Sequence, residues 1–377
     1  MEVRIGDSIE CNPTVKLVKG NEYPLIDIDK ISVGRKLVTN KDTIVYEKQS
    51  GCKFQNGDTL MARITPCLEN GKMAMASIPD KGIGSTELFV FRGKKGITDN
   101  DFVYYFLKQS YIRNLAANSM TGASGRQRAD LKFIKKIKFD LPSLPIQQKI
   151  ASILSSYDRL IENNTRRIRL LEQMAENLYK EWFVRFRFPE HENVEMVNGL
   201  PKGWKVKRYE EELNIRYGKG LSTEQLKEEG YPVFGSNGQI GFYDSYMYED
   251  PQILISCRGA SSGIVNISLP KSFITSNSLI CERTEKTESL YEYLKYYFLN
   301  NNLVQYQTGS AQPQITINNI VKQKLLVPEL KVQRSFSEKI RVIDMEIYNL
   351  QSQIQLLTRQ RDLLLPRLMS GKLEVKS

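Results

Sequence analysis

From Ile146 to about Arg187 the chain carries neither glycine nor proline, and its apolar positions return every seven residues. Ile150, Tyr157, Asn164, Leu171 and Leu178 form one row, and Leu154, Ile161, Ile168, Ala175 and Trp182 form another, four residues further on. These are the d and a positions of a heptad seam, which predicts a long helix burying one stripe against a second helix. The pattern recurs 186 residues later, in Phe336, Ile343, Leu350, Leu357 and Leu364 and in Ile340, Ile347, Ile354, Arg361 and Leu368. About 40 helical residues at roughly 1.5 Å each make a rod on the order of 60 Å. Two seams in one chain bury each other most simply. A tandem globule-then-helix unit closes if the second helix returns along the first, so antiparallel pairing is expected. Asn164 in the seam is expected to fix register at some cost in stability, with Leu350 at the matching place of the repeat. Arg361 is expected to snorkel at the rod's edge.

A globule precedes each seam. Residues 1–140 alternate short β-like runs at 43–46, 59–64 and 88–91 with Gly and Asn/Asp turns, predicting a mixed sheet. A helix containing Tyr104-Tyr105-Phe106-Leu107 is expected to pack on that sheet. Pro142 and Pro145 stop the last strand and start the helix, so residues 141–188 form the first helical region. The acidic stretch 189–195 reads as an exposed linker, and residues 189–326 as linker plus second globule, with strand-like runs at 252–256 and 278–281. Residues 327–377 form the second helical region. The globules are copies: Tyr-Tyr-Phe-Leu at 104–107 recurs at 296–299, Thr121-Gly122 as Thr308-Gly309, and Leu141-Pro142 as Val327-Pro328. This is a domain-sized duplication, far longer than a solenoid period. The fold expected is α+β: two mixed α/β globules separated by two long helices that form an intramolecular antiparallel coiled coil, with a pseudo-two-fold internal repeat.

Charge adds a partner to this picture. The 377 residues have the apolar and charged content of a soluble globular protein, but carry a net charge of +11. A basic balance of this size points to a polyanion, most often nucleic acid. The five cysteines lack C-x-x-C spacing and are odd in number, so they read as reduced thiols of a cytoplasmic protein, with neither disulfides nor zinc. Neither a signal peptide nor a membrane span is expected, since no apolar run approaches about 18 residues.

Catalytic patterns are missing. No phosphate-binding G-x-x-x-x-G-K-[ST] or G-x-G-x-x-G loop occurs. Asn12-Pro13 is followed by Thr14-Val15, not by the Pro-aromatic pair with which amino-methyltransferases grip a flipped base. The single histidine, His191, falls in the linker and reads as solvent-exposed. These misses favour a binding protein over an enzyme.

What the chain does contain suits DNA. The loop Thr121-Gly122-Ala123-Ser124-Gly125-Arg126-Gln127-Arg128 joins flexible glycines to groups that contact phosphate or base edges, with Arg suited to guanine and Gln to adenine. Its counterpart is Thr308-Gly309-Ser310-Ala311-Gln312-Pro313-Gln314, in which the Thr-Gly pair and the final glutamine match. A scaffold loop locking globule to helix is an equally open reading. Further candidates are Tyr217 and Lys219 with Ser236 and Asn237, and Arg258 with Ser261 and Ser262. Arg258 aligns with Arg63 at an offset of 195. Arg166, Arg167 and Arg169 place charge outside the rod, as a solvated face or as a contact to DNA backbone or a partner subunit.

The T-G…Q loop, the Leu-Pro-x-Leu-Pro-x-Gln-Gln and Val-Pro-x-Leu-x-Val-Gln segments, and the heptad helices together resemble the specificity subunit of type I restriction-modification systems. Gly203-Trp204, Tyr217-Gly218-Lys219-Gly220 and Gly82-Ile83-Gly84-Ser85-Thr86-Glu87 add to the likeness, which covers essentially the whole chain. The first globule lacks the Gly-Trp entry, and Pro313 stands where the first loop has Arg126. The resemblance implies two target-recognition domains, each reading half of a bipartite double-stranded DNA site, with the coiled coil as ruler. Half-sites one turn apart, on the order of 34 Å, lie within the rod's reach. It also implies two methyltransferase (M) subunits, restriction (R) subunits, and S-adenosylmethionine, Mg and ATP on those partners with no cofactor in this chain. The alternatives are a coiled-coil scaffold whose globules bind proteins and, less favoured, a cryptic nuclease or methyltransferase.

Overall fold

A computed structural model describes residues 2–123, 125–309 and 312–375. Two long helices, Leu144–Tyr179 and Leu330–Met369, run through it. The chain divides into two compact units, Met1–Arg167 with Leu350–Ser377, and Ile168–Asn349. The division thus passes through both helices, not at the prolines where they begin, and each unit owns one globule with a part of each helix.

In the first unit a five-stranded sheet runs in the order Ile9–Cys11, Leu88–Gly93, Thr59–Ala62, Met73–Ala76, Leu37–Val38. A four-stranded sheet has the order Thr43–Val45, Glu22–Ile26, Lys81–Gly84, Cys52–Gln55, and Glu2–Arg4 pairs with Lys138–Asp140. The helix Asn100–Lys108 starts where the Asp99 side chain accepts from the Phe102 amide at 3.0 Å, an N-cap that satisfies an otherwise orphaned donor. It buries Phe102 through Leu107 in one core with Phe89, Phe91, Ile150, Leu154, Leu365 and Leu368. Burial of that apolar surface is what fastens globule to helix.

The second unit repeats the plan with one strand fewer in each sheet. Its larger sheet has the order Leu213–Tyr217, Ser278–Arg283, Ile253–Ser256, Val265–Ile267, its smaller one Gly238–Tyr243, Tyr231–Gly235, Phe273–Ile274, and Lys205–Arg208 pairs with Lys324–Val327. The parallel pair Leu25 with Ile83 in the first unit has its counterpart in Val233 with Phe273. The helix Tyr291–Asn300 carries the second Tyr-Tyr-Phe-Leu run, and Tyr293, Phe298, Trp182, Phe183 and Phe336 share a core.

The prolines act as expected, and a glutamine completes the joint. Gln147, fully buried, donates to the carbonyls of Ile97 (2.9 Å) and Pro142 (2.8 Å) and accepts from the Asp99 amide (3.0 Å). Gln333 does the same in the second unit, donating to Pro328 (2.8 Å) and accepting from the Leu290 amide (2.7 Å). A buried amide with both ends satisfied fixes the helix start against the globule.

The helix pair is antiparallel: within the first unit Asp158 meets Arg361 while Asn164 donates to Gln353 at 3.0 Å, so partner numbers fall as the chain advances. Ile150, Leu154, Ile340 and Leu350 are buried, and Tyr157, Ile161, Ile168, Leu171, Ile343, Ile347, Ile354 and Leu357 half-buried.

Two expectations are corrected. Arg361 does not snorkel; it is only 3% exposed and ion-paired with Asp158 and Asp362. Burial opposes its charge, yet hydrogen bonds from the guanidinium to Asp362 and Asp158 raise its pKa further. A carboxylate facing it across the seam makes pairing the better solution. The acidic stretch is likewise no free linker. Phe188 stacks on Trp204 with ring centroids 5.4 Å apart, half-buried His191 holds Nδ1 2.8 Å from the Phe188 carbonyl, and Met196–Val197 pairs with Leu200–Pro201. Isolated aromatics among charges gave no period, but two rings suffice to fold the segment down.

Candidate nucleic-acid interface

The loop after the helix Ser110–Asn118 of the first unit is a closed hydrogen-bonded hairpin. The Thr121 amide donates to the Arg128 carbonyl (3.1 Å) and Arg128 returns the bond (3.0 Å). Two more bonds tie it to the end of the strand Thr59–Ala62, from Thr65 to Gln127 (3.0 Å) and from Ala129 to Arg63 (2.8 Å). Gly122 and Gly125 turn it with φ of 122° and 79°, conformations in which other side chains are strained. Thr121 and Arg126 are exposed, and Gln127 half-buried; Ser124 lies outside the described residues.

Arg128 grips Glu87 with two prongs, Nη2 to Oε1 at 2.6 Å and Nε to Oε2 at 2.8 Å. The hydrogen bonds from Arg128 hold the Glu87 carboxyl below the usual carboxylate range, against the opposing effect of burial. Arg63 lies with its guanidinium 4.8 Å from the centre of the Phe89 ring, its buried Nε without a hydrogen-bond partner among the described residues. Arg63, Thr121 and Arg128 line a cavity of about 590 Å3 together with Asn12, Lys132 and Lys135. The sequence reading missed these two lysines; the signal was the Lys-x-x-Lys-Lys run of the helix Leu131–Lys136, directly after the loop.

The second unit builds the same loop. Thr308 and Gln314 exchange amide-carbonyl bonds at 2.9 Å, Gly259 donates to Pro313 (3.0 Å), and Ile315 to Cys257 (3.0 Å). This bonding corrects the alignment made from residue types. Gln314 occupies the place of Arg128, not of Gln127, and Pro313 that of Gln127, not of Arg126, because the second loop is one residue shorter. By the same bonds Arg63 corresponds to Cys257, and Arg258 to Ile64, one step away from the expected match. Ser310 and Ala311 lie outside the described residues.

Stretches far apart in sequence gather around this second loop. The Lys219 carbonyl accepts from the Ser276 amide, and the Lys219 amide donates to the Ile274 carbonyl, both at 2.9 Å. A side chain at Gly218 would sit 2.3 Å from the Thr275 carbonyl, so only glycine permits that approach. Ser236 donates through Oγ to the Asn277 carbonyl (3.1 Å), Ser261 donates to the Asn237 side chain, and the Arg258 backbone lies antiparallel to that of Gln314. Tyr217, Lys219, Asn237, Arg258, Thr308, Gln312 and Gln314 are exposed and Ser236 and Ser261 half-buried. Ser262 is a correction. It is completely buried, its carbonyl accepts from Gln307, and its turn packs on Leu303 and Val304, so it supports the loop from behind and offers nothing to a ligand.

Among the described residues no cluster of His, Cys, Asp and Glu has the makings of a metal site, and no helix is long and apolar enough to cross a membrane. Burial raises the Cys11 thiol to about 11 and Cys52 to about 12, which leaves both as unreactive thiols. The arrangement offers exposed Arg, Lys and amide groups on rigid, backbone-locked loops, the equipment for contacts to phosphates and base edges.

The model of a protein family described as type I restriction modification DNA specificity domain matches residues 2–173 and again 201–358. The specificity subunit of the type I restriction enzyme MjaVIII of Methanocaldococcus jannaschii is 24% identical over 415 aligned residues, covering 100% of this chain and 93% of the relative. That of MjaIX, from the same organism, is 26% identical over 308 residues, covering 75% and 71%. In fold the chain is similar to the crystal structure of a type I restriction-modification S subunit from M. genitalium, with a TM-score of 0.58, 17% identity, and coverage of 100% and 96%.

Proposed function

The chain belongs to the family of type I restriction-modification DNA specificity domains, and from that premise we propose how it works. Each globule reads one half of a bipartite double-stranded DNA site, and the helix pair sets the spacer and docks two methyltransferase subunits. The chain itself is non-catalytic and cytoplasmic; S-adenosylmethionine, Mg and ATP serve the methyltransferase and restriction subunits of the complex.

One observation carries this reading. Two units lock loops of the same backbone plan onto the same strand end, and then fill the exposed positions differently. Arg126, Arg128, Lys132 and Lys135 stand in the first unit, against Lys219, Arg258, Gln312 and Gln314 in the second. A common scaffold with unlike tips is what two different half-sites require, since phosphate contacts position a protein and base-edge contacts specify. Thr121 and Thr308 suit phosphate, while Arg63, half sunk beneath the loop, supports it.

The test is DNA binding by the full chain co-expressed with methyltransferase subunits, measured against salt. Affinity should fall about 1000-fold or more between 50 and 200 mM salt if six or more phosphates are contacted. A complex without DNA affinity would leave a protein-interaction scaffold as the reading to pursue.

A further inference from the structure

The internal repeat equates a second pair of positions that the sequence did not bring forward. The Arg63 amide donates to the Glu87 carbonyl and the Cys257 amide to the Asn277 carbonyl, both at 3.0 Å. The turn that follows the parallel strand is also the same, with Leu88 donating to Ser85 and Ser278 to Thr275. Glu87 and Asn277 therefore stand at one place in the two globules, as Arg128 and Gln314 stand at another. In the first unit the two side chains meet, Glu87 gripping Arg128. The second unit replaces both ionic groups by amides, and the side chains of Asn277 and Gln314 have no hydrogen bond among the described residues.

An acid with a base has become an amide with an amide. A guanidinium forks onto the O6 and N7 acceptors of guanine, whereas a carboxamide matches the N6 donor and N7 acceptor of adenine. The Glu87–Arg128 pair is too exposed to add much stability; with Arg128 at 45% and Glu87 at 22% side-chain exposure, it serves to aim the guanidinium.

Resting on the function proposed above, we propose that Arg128 and Gln314 are matched base-reading residues. Arg128, aimed by the positioning residue Glu87, selects guanine in one half-site. Gln314, beside Asn277, selects adenine at the corresponding place of the other.

The test is selection from a randomised duplex library by the full chain co-expressed with methyltransferase subunits, in wild type and in two double variants. Glu87→Asn with Arg128→Gln should turn guanine into adenine at one base pair of one half-site, by about tenfold or more, and leave the other half unchanged. Asn277→Glu with Gln314→Arg should do the reverse in the other half. Arg128→Lys, which keeps the charge but loses the planar fork that Glu87 aims, should retain most affinity and weaken the guanine preference. Unchanged preferences in the variants, or affinity lost equally for all sequences, would overturn the assignment while a bipartite wild-type site keeps the broader reading standing. A wild type that selects no sequence would overturn both.

Discussion

The two units fill one heptad pattern with opposite physics. In the first, the seam holds a buried ion pair, Asp158 with Arg361, to which Tyr105 also donates a hydrogen bond, and the Asn164–Gln353 amide contact. In the second, Tyr179, Trp182 and Phe183 close on Phe336 with centroids 6.4, 5.9 and 4.9 Å apart. The repeat sharpens the contrast, since the residue matching Arg361 is Ala175, and the one matching Asp158 is Asp344, which pairs instead with Lys295 at 2.7 Å. Burial of large aromatic rings is strongly stabilising, and its hydrophobic part is non-directional. A buried ion pair contributes little net stability but penalises every register that separates it. The second unit accordingly holds the helices together, and the first fixes which residues lie opposite one another. Under the proposed function, in which the helix pair sets the DNA spacer, register is the functional quantity.

Five substitutions test this division, from the largest effect downward. Phe336→Ala should destabilise the second unit by about 4 kcal/mol, through lost burial and the cavity left behind. Asp158→Leu should cost the first unit about 3 kcal/mol by stranding Arg361. Adding Arg361→Leu should recover most of that loss, and failure to recover it would mean that the pair provides stability rather than register. Gln147→Leu and Gln333→Leu should cost about 2 kcal/mol each, because each leaves a proline carbonyl and a backbone amide unpaired, with the Ile97 carbonyl lost in addition at Gln147. Urea unfolding measures all of these.

The smallest effect is a pH dependence confined to the first unit. Lys108 has a buried Nζ without a hydrogen-bond partner among the described residues, and burial first, then the nearby Arg361, lowers its pKa to about 8. The unfolded chain holds that proton up to about 10.5, so between about 8 and 10.5 it binds more protons than the folded one, and stability rises with pH across that window. Lys108→Met should flatten the rise and stabilise the protein at pH 7 by on the order of 1 kcal/mol. Thermal melts from pH 7 to 10.5 decide it.

The heptad rows, the prolines and the duplicated Tyr-Tyr-Phe-Leu helix were legible in the sequence because each rests on a local period or a local backbone constraint. Arg361 was misjudged because its partner Asp158 sits one place off the heptad rows, so only the packed pair reveals it. In the loops, Arg258 and Gln314 were each matched one residue out of place. A single-residue shortening changes every later equivalence, and only the backbone bonds to Arg63, Thr65, Cys257 and Gly259 show where it falls. Ser262 reads as a candidate DNA contact by residue type. The turn from Gly259 to Gly263 takes it inside, a tertiary fact without a sequence period.

The central claim is that the globules are separate readers on a shared frame. Its most direct test replaces residues 200–326 with the matching segment of a relative of different specificity and maps the methylated adenines in DNA modified by the complex. One half-site should change while the other half and the spacer stay as they were. Change in both half-sites, or in neither, would contradict it.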